Sequence, residues 1–210
     1  MTYKRFFKRL IDIVLSLCAL PFFCLLFIII APIIYFTDKG PVFYTAARLG
    51  KDGKVYNMYK FRSMKVNSPD LRNADGSTYN SSDDPRVTKV GKFMRKTSLD
   101  EIPQILNVLQ GDMSIIGPRP FVTTHYYGYD KLSEPMKKRL DVRPGITGYS
   151  QAYFRNSIGQ EEKIKNDVYY AENVSFLLDI KILFKTAKSV LKSENIYVNS
   201  AEKETVEAEK

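Results

Sequence analysis

Two adjacent carboxylates, Asp100 and Glu101, are the residues whose type and position best suit chemistry in this sequence. Ser98 precedes them, and an apolar pattern with helical spacing follows them up to Gly111. Ser98 with an acidic residue three positions later also fits a capping box, which is a purely structural interpretation. That box would place Pro103 at the fifth helical position, where its missing N–H and its ring are costly. A helix that begins near Asp100 keeps Pro103 in the first turn.

A carboxylate at a helix start lies where free N–H groups and the helix dipole favour its ionised form. An ionised carboxylate can attack phosphorus or bind Mg²⁺. Acidic residues are common at helix starts, so the spacing alone does not exclude a structural role. Basic residues beside prolines, glycines and strand ends strengthen the chemical interpretation, because a fixed arginine can hold phosphate oxygens with paired N–H donors. The candidates for phosphate binding are Lys60, Arg62, Arg95, Arg119 and Arg143.

The composition narrows the class of protein. A chain of 210 residues with 44% hydrophobic residues can form one globular core beside a membrane segment. The net charge of +9 favours anionic partners such as lipid, nucleotide phosphate or nucleic acid. Both cysteines lie inside the apolar segment, which argues against a disulfide framework. The single His125 argues against a zinc site.

A membrane segment is expected near the N-terminus. Residues 13–36 form an uncharged run of 24 residues, longer than the roughly 20 that cross a bilayer core. A cleavable signal peptide is the alternative, and the basic start suits it, but the run is longer than the usual apolar region of such a peptide and no small-residue cleavage site follows. Basic residues before it favour a cytoplasmic N-terminus, and Pro21 near its middle predicts a bend. A straight span and a helix that returns to its own side both remain open at this point.

The remaining elements are short. Residues 41–44 and 54–59 are predicted to form a β-hairpin around a glycine-containing turn. Residues 67–85 are polar and predict a surface loop. Residues 176–191 predict an amphipathic helix that rests on lipid headgroups through a row of lysines, Lys181, Lys185, Lys188 and Lys192.

Several motifs in this order resemble one known family. They are 59–64 (YKFRSM), 95–104 (RKTSLDEIPQ), 107–114 (NVLQGDMS), 117–120 (GPRP), 142–148 (VRPGITG) with Gln151, and 167–170 (DVYY). From Lys8 to about Leu191 the chain resembles the bacterial sugar transferases of the small monotopic phosphoglycosyl transferase type. No single motif is specific, but the whole set behind an apolar segment is.

The resemblance implies an α+β fold: a helix-rich cytosolic domain with a small β-hairpin or sheet, a re-entrant membrane helix and an interfacial amphipathic helix. It implies that Asp100 attacks a UDP-sugar, releases UMP and holds the sugar phosphate until undecaprenyl phosphate accepts it. Such a product would begin a capsule, exopolysaccharide, O-antigen or glycoprotein glycan. Glu101 would complete the catalytic pair, and Mg²⁺ beside Asp100 would offset phosphate charge. The five basic residues named above would bind phosphates.

The resemblance also implies an inner-membrane location with the catalytic domain facing the cytosol, where nucleotide sugars occur, and this favours the helix that returns to its own side. We expect three segments: 1–38 with the membrane helix, 39–199 as the catalytic domain and an acidic disordered tail at 200–210. The chain departs from the family pattern at Leu20, where a serine often precedes the proline, and around 152–155. Gln151 and Arg155 are candidate contacts to the nucleotide or the sugar.

The expected partners are the UDP-sugar, undecaprenyl phosphate, anionic lipids and downstream glycosyltransferases. An alternative from another class is an inert basic module that binds the membrane and scaffolds a glycan assembly complex. Asp100 separates the two, because only the enzyme needs its carboxylate. A nucleic-acid binder would need basic and exposed aromatic residues interleaved on a soluble face, and the apolar segment disfavours it.

Overall fold

The computed structural model describes residues 3–69, 71, 79, 81, 83–123, 129–155 and 157–192, with backbone alone for Val122, Leu191 and Lys192. Its helices are α1 Lys8–Asp38, α2 Lys89–Thr97, α3 Gln104–Gln110, α4 Glu134–Arg139, α5 Tyr149–Tyr153, α6 Gln160–Glu172 and α7 Phe176–Lys192. Its strands are β1 Phe43–Leu49, β2 Val55–Phe61, β3 Ser114–Ile116, β4 Phe121–Val122 and β5 Gly145–Thr147. A π-helical turn, Tyr3–Phe7, precedes α1, and 3-10 turns occupy Lys51–Gly53, Leu99–Glu101 and Tyr129–Lys131.

The long helix α1 packs one face on the rest of the chain and leaves the other exposed. Its buried apolar residues Phe23, Ile30 and Ile34 join a core with Phe61 of β2 and Met94 of α2. Burial of side chains of this size stabilises by about 1.5–3 kcal/mol each. The exposed face is apolar as well, with Leu17, Phe22, Leu25, Ile28, Ile29 and Phe36 all more than half exposed. Of the helices in the described residues, only the continuous Tyr3–Asp38 stretch is long and apolar enough to cross a membrane.

The hairpin predicted from the sequence is confirmed, although β1 begins at Phe43 rather than at Pro41. β1 and β2 pair antiparallel, and β4 joins the other edge of β1. The free edge of β2 is covered by Asn107 of α3, whose amide accepts from Tyr59 N at 2.9 Å and donates to the Asn57 carbonyl at 2.7 Å. The fully buried Asn107 therefore fixes α3 against the sheet.

A second pair of strands, β3 and β5, runs parallel. Their carboxyl ends lie side by side, and the turns that follow pack closely. A Cβ on Gly148 would lie 2.0 Å from the Gly117 carbonyl oxygen, so only glycine fits there. Around these strands, α5, α6 and α7 bury the second core, which contains Ile116, Val142, Ala152, Tyr170, Ala171 and Ile182.

The α+β fold with a membrane-type helix is confirmed, and so is the amphipathic helix predicted at 176–191, which ends one residue later. Gly111 ends α3 with φ 96°, as predicted. α1 runs through Pro21 without interruption, so the predicted bend is not a break in the helix. Most of the 72–82 part of the predicted loop and the whole acidic tail lie outside the described residues.

Candidate active site

The acidic pair lies in a tight turn between two helices. Helix α2 ends at Ser98, whose φ of 60° is left-handed and whose side chain makes no capping bond to the next turn. The capping-box alternative is therefore wrong. The prediction that α3 begins at Asp100 is also wrong: Asp100 and Glu101 occupy the 3-10 turn Leu99–Glu101, and α3 begins after Pro103. Proline cannot donate a backbone hydrogen bond, which suits it to this boundary.

Glu101 is held by two cations from different parts of the chain. Lys60 of β2 lies with its Nζ 2.6 Å from Glu101 Oε1, and Arg119 Nη2 lies 3.4 Å from the same oxygen. Burial opposes ionisation of Glu101, but the charges and hydrogen bonds of Lys60 and Arg119 outweigh it and lower its pKa to about 2. Glu101 is therefore a fixed anion that orients two basic side chains.

The pKa of Asp100, in contrast to that of Glu101, is raised. Its side chain is buried, and desolvation raises its pKa, although the charges of Lys60, Arg95 and Arg119 oppose the rise. The sequence-based expectation that both carboxylates favour ionisation thus holds for Glu101 and is corrected for Asp100. No hydrogen bond to the Asp100 carboxylate is found within the part of the chain that the structure describes. Its oxygens are thus available to a ligand, in a site ringed by three positive charges.

Arg95 reaches this ring from the last turn of α2. Its Nε donates to Ser63 Oγ at 3.0 Å, and the charge of the guanidinium acts on Asp100, whose pKa it lowers. Helix α2 lies very close to the segment after β2, because Gly91 packs directly on the Ser63 carbonyl. Ser63 was not singled out from the sequence. Its position between Arg62 and Met64, inside a motif of the family, was the only signal.

Arg119 extends from the turn after β3 and has a more exposed side chain, 58% accessible, which places it at the mouth of the site. The backbone of Arg119 is itself held in place by a hydrogen bond. The buried Arg139 of α4 donates to the Arg119 carbonyl at 2.9 Å and pairs with the buried Asp167 of α6. This ion pair was missed by sequence reasoning, since nothing in the spacing of α4 and α6 shows that they meet.

Arg62 does not belong to the ring. Its five N–H donors all have acceptors within the protein: both Asp38 oxygens at 2.6 and 2.7 Å, and the carbonyls of Ile34, Pro41 and Met64. The guanidinium thereby ties the end of α1 to β2 and has no donor left for a phosphate. The predicted phosphate contact of Arg62 is corrected to a structural role, in which Asp38 is the partner that the sequence did not reveal.

Arg143 is also separate from the pair. Its Nε donates to the Gly111 carbonyl at 2.7 Å, at the opposite end of α3 from Glu101. Seven residues of α-helix span about 10 Å, so the structure does not bring Arg143 to the carboxylates.

Gln151 and Arg155 lie in and just after α5, at the carboxyl end of β5. The contact of Gly148 with Gly117 brings the start of α5 against the turn that leads to Arg119. The side-chain amide of Gln151 is buried, and neither its nitrogen nor its oxygen has a hydrogen-bond partner among the described residues. Arg155 has a left-handed φ of 51°. Their predicted contacts to the nucleotide or sugar stay predictions.

The described residues can supply only some of the ligands that Mg²⁺ needs. No group of three or more His, Cys, Asp or Glu side chains that could hold a metal occurs among the residues the structure describes. Mg²⁺ is commonly bound through one or two carboxylates together with substrate phosphates. The free oxygens of Asp100 meet that requirement once a diphosphate lies beside them.

Comparison with known proteins identifies the family of this chain. A family model described as bacterial sugar transferase matches residues 3–193. The chain belongs to this family. A Salmonella typhimurium relative, undecaprenyl-phosphate galactose phosphotransferase, is 39% identical over 211 residues, covering 92% of this chain and 42% of the relative. A Bacillus subtilis relative, the uncharacterized sugar transferase EpsL, is 40% identical over 189 residues, covering 90% and 89%.

A third relative of this sugar transferase is the Escherichia coli UDP-glucose:undecaprenyl-phosphate glucose-1-phosphate transferase, 42% identical over 188 residues. The match covers 87% of this chain and 40% of that relative. The chain thus spans about two fifths of the Salmonella and Escherichia relatives and most of the Bacillus one.

Proposed function

We propose that this sugar transferase moves a sugar 1-phosphate from a UDP-sugar to undecaprenyl phosphate through a covalent bond to Asp100. The observation that carries the proposal is the arrangement around Asp100. A buried carboxylate with free oxygens lies among Lys60, Arg95 and Arg119, while its neighbour Glu101 is paired through Oε1 with both Lys60 and Arg119. Such a site attracts a phosphate, and Asp100 is the carboxylate of the pair that no cation of the described residues holds in an ion pair. The names of the relatives support the donor and acceptor classes, although the sugar differs between them.

The reaction has two steps. An oxygen of ionised Asp100 attacks the β-phosphorus of the donor, and the bond from that phosphorus to the bridging oxygen breaks, so that UMP leaves with the electron pair. A phosphate oxygen of the acceptor then attacks the same phosphorus, and the Asp100 carboxylate is released with its electrons. Lys60, Arg95 and Arg119 stabilise the charge that develops on the transferred phosphate. Mg²⁺, when bound, would offset the negative charge of the diphosphate.

Glu101 has a positioning role in this proposal. Its two ion pairs hold Lys60 from β2 and Arg119 from the turn after β3 at one point. Without Glu101, binding of the donor would have to order both long side chains, and this would cost conformational entropy. Glu101 thus preorganises the phosphate site and leaves the nucleophilic step to Asp100.

The test is UMP release by the Asp100→Asn variant. Asparagine keeps the shape and removes the nucleophile, so UMP release from a panel of UDP-sugars with undecaprenyl phosphate is expected to disappear while membrane association persists. Asp52→Asn is the matched control, because Asp52 is 70% exposed on the hairpin turn and pairs only loosely with Lys51, at 3.6 Å. Turnover by Asp100→Asn at the level of this control would exclude the mechanism. It would favour the alternative, an inert scaffold of a glycan assembly complex. The panel also identifies the sugar.

We further propose that α1 is embedded without carrying the domain across the bilayer. Both ends of the helix are bound to the same domain: Lys8 pairs with Asp179 of α7 at 2.7 Å, and Asp38 pairs with Arg62 after β2 at 2.6 Å. Midway, Phe23 stacks on Phe61 with ring centroids 6.1 Å apart. A straight crossing would draw this domain into the hydrocarbon core, where its polar groups are costly. In this proposal the helix enters and leaves on one side of the inner membrane, and the basic residues before it favour the cytosolic side.

Helix α7 would lie on the same surface. Its exposed apolar residues Phe176, Leu177 and Phe184 would insert between lipids, and the exposed Lys181 and Lys188 would contact anionic headgroups. Cysteine-reactive or protease tags placed before Tyr3 and after Ser200 test this placement. Both tags are expected to react only from the cytosolic side, and a tag accessible from the other side would exclude it.

A further inference from the structure

Two arginines distant in sequence meet at the end of α3 that points away from the acidic pair. Arg9, in the first turn of α1, donates from Nη1 to the Val108 carbonyl at 2.6 Å and from Nη2 to the Leu109 carbonyl at 3.2 Å. Arg143 donates from Nε to the Gly111 carbonyl at 2.7 Å. A Cβ on Gly111 would lie 3.6 Å from Arg9 Nη2, so both guanidiniums contact the same turn.

Hydrogen bonding to the last carbonyls of α3 explains only part of the role of these two arginines. A helix C-terminus carries the equivalent of about half a negative charge, whereas the two guanidiniums carry two positive charges. Neither arginine forms an ion pair with a carboxylate among the described residues. The nearest acidic residue on α1, Asp12, accepts from the Ile115 backbone N–H at 3.0 Å, and its charge acts on Arg9 without forming an ion pair. The charge of Arg143 also acts on Arg9, so Asp12 faces two guanidiniums, and an additional anion would offset the remaining positive charge.

The geometry leaves room for that anion. The two terminal nitrogens of Arg143 have no hydrogen-bond partner among the described residues, so the part of the guanidinium that binds phosphate in a bidentate manner is open. Pro144 directly follows Arg143 and restricts its backbone. The exposed Arg5 lies one helical turn before Arg9 and adds to the positive field.

The position of Arg9 along the membrane helix identifies the source of the anion. The uncharged run of α1 begins four residues later, and apolar side chains are already exposed here, with Phe6 at 65% and Leu10 at 48%. In the proposed placement of α1, Arg9 lies at the boundary between water and lipid, at the depth of phospholipid headgroups. The UDP-sugar and the acceptor phosphate must instead reach Asp100, beyond the other end of α3.

We propose that Arg9 and Arg143 form a binding site for the headgroup phosphate of an anionic phospholipid, with phosphatidylglycerol as its chemical type. The bound phosphate neutralises the arginine pair and ties the start of α1 to the end of α3. Since the acidic pair directly precedes α3, the lipid supports the element that positions the site. This inference rests on the proposed membrane placement of α1 and does not depend on the transfer chemistry.

The test is lipid binding to the full chain in a neutral detergent, without donor or acceptor. Short-chain phosphatidylglycerol is titrated and bound lipid is counted by native mass spectrometry, with phosphatidylcholine and glycerol 3-phosphate as parallel titrants. The wild-type protein is expected to bind one phosphatidylglycerol in preference to both. Arg9→Gln and Arg143→Gln are each expected to weaken it roughly 10- to 100-fold, the range for loss of a charged hydrogen bond. Lys54→Gln, which removes an exposed charge on the hairpin, is the matched control and is expected to bind normally.

Three results would overturn the proposal: unchanged binding in both arginine variants, equal binding of phosphatidylcholine, or equally tight binding of glycerol 3-phosphate, which would indicate a site for free phosphate. If a glutamine variant fails to fold, Arg9→Lys and Arg143→Lys keep one donor for the helix carbonyls and are expected to retain part of the binding. Asp100→Asn should bind the lipid as wild type does. A failure of the proposed transferase reaction is therefore distinguishable from a failure of this site.

Discussion

The closest backbone approach beside the active site gives a sharp prediction for Gly91→Ala. Gly91 lies in the first turn of α2, and its φ is not in the left-handed region, so alanine fits the backbone conformation. Helix propensity alone therefore predicts a gain of roughly 1 kcal/mol in stability. A Cβ would, however, lie 1.9 Å from the Ser63 carbonyl oxygen, whereas real Cβ contacts essentially never fall below 3.0 Å. Helix α2 must then move away from Ser63 by about 1.1 Å, the difference between these distances.

That displacement acts on the site through Arg95. Arg95 lies one turn after Gly91 on the same helix and is held by its 3.0 Å bond to Ser63 Oγ. A misplacement of about 1 Å can cost roughly 100-fold in rate, and overpacking costs about 1–3 kcal/mol of folding free energy. We therefore expect Gly91→Ala to lower both the unfolding temperature and kcat for UMP release, the latter measured well below that temperature.

Gly159→Ala is the matched control, because a Cβ there meets no heavy atom within 4 Å. It is expected to keep the turnover and stability of the wild-type protein to within about 0.5 kcal/mol. The reasoning would be refuted if Gly91→Ala turned over as fast as Gly159→Ala, or if it were more stable than wild type, since propensity and not the contact with Ser63 would then dominate.

Two further predictions follow from the charges. The proposed mechanism needs ionised Asp100, whose pKa is raised by burial, so it predicts that kcat/KM rises with pH through that raised pKa, while Glu101, with a pKa of about 2, stays ionised throughout. Lys60→Gln removes the largest charge that lowers the Asp100 pKa and should move the acid limb to higher pH; a profile flat through the ordinary aspartate range contradicts this. Asp38→Asn should lower stability by about 1–3 kcal/mol in thermal unfolding, because the buried guanidinium of Arg62 loses its carboxylate partner and keeps only backbone carbonyls. Asp52→Asn, on an exposed pair, should change it by less than about 0.5 kcal/mol; equal losses would contradict the burial argument.

Local patterns in the sequence were sufficient to predict the elements whose structure depends on residues close in the chain. The uncharged run at 13–36 determined the membrane helix, the glycine turn determined the hairpin, and Gly111 determined the end of α3. Hydrophobic period, backbone freedom and the missing N–H of proline act within a few residues. Pro103 was even sufficient to reject the capping box, although the helix start predicted from it, near Asp100, is about four residues too early.

The charged side chains were decided by the tertiary structure. Lys60, Arg62, Arg119 and Arg143 have equivalent chemistry in the sequence, yet only Lys60 and Arg119 contact Glu101. Arg62 pairs with Asp38, 24 residues away, and Arg143 donates to the Gly111 carbonyl, 32 residues away. The sequence by itself thus determined which residues could bind phosphate. Only the packing of α1, α3 and the two sheets decided which of them lie beside the acidic pair, because a long cationic side chain binds whichever acceptor the fold places within its reach.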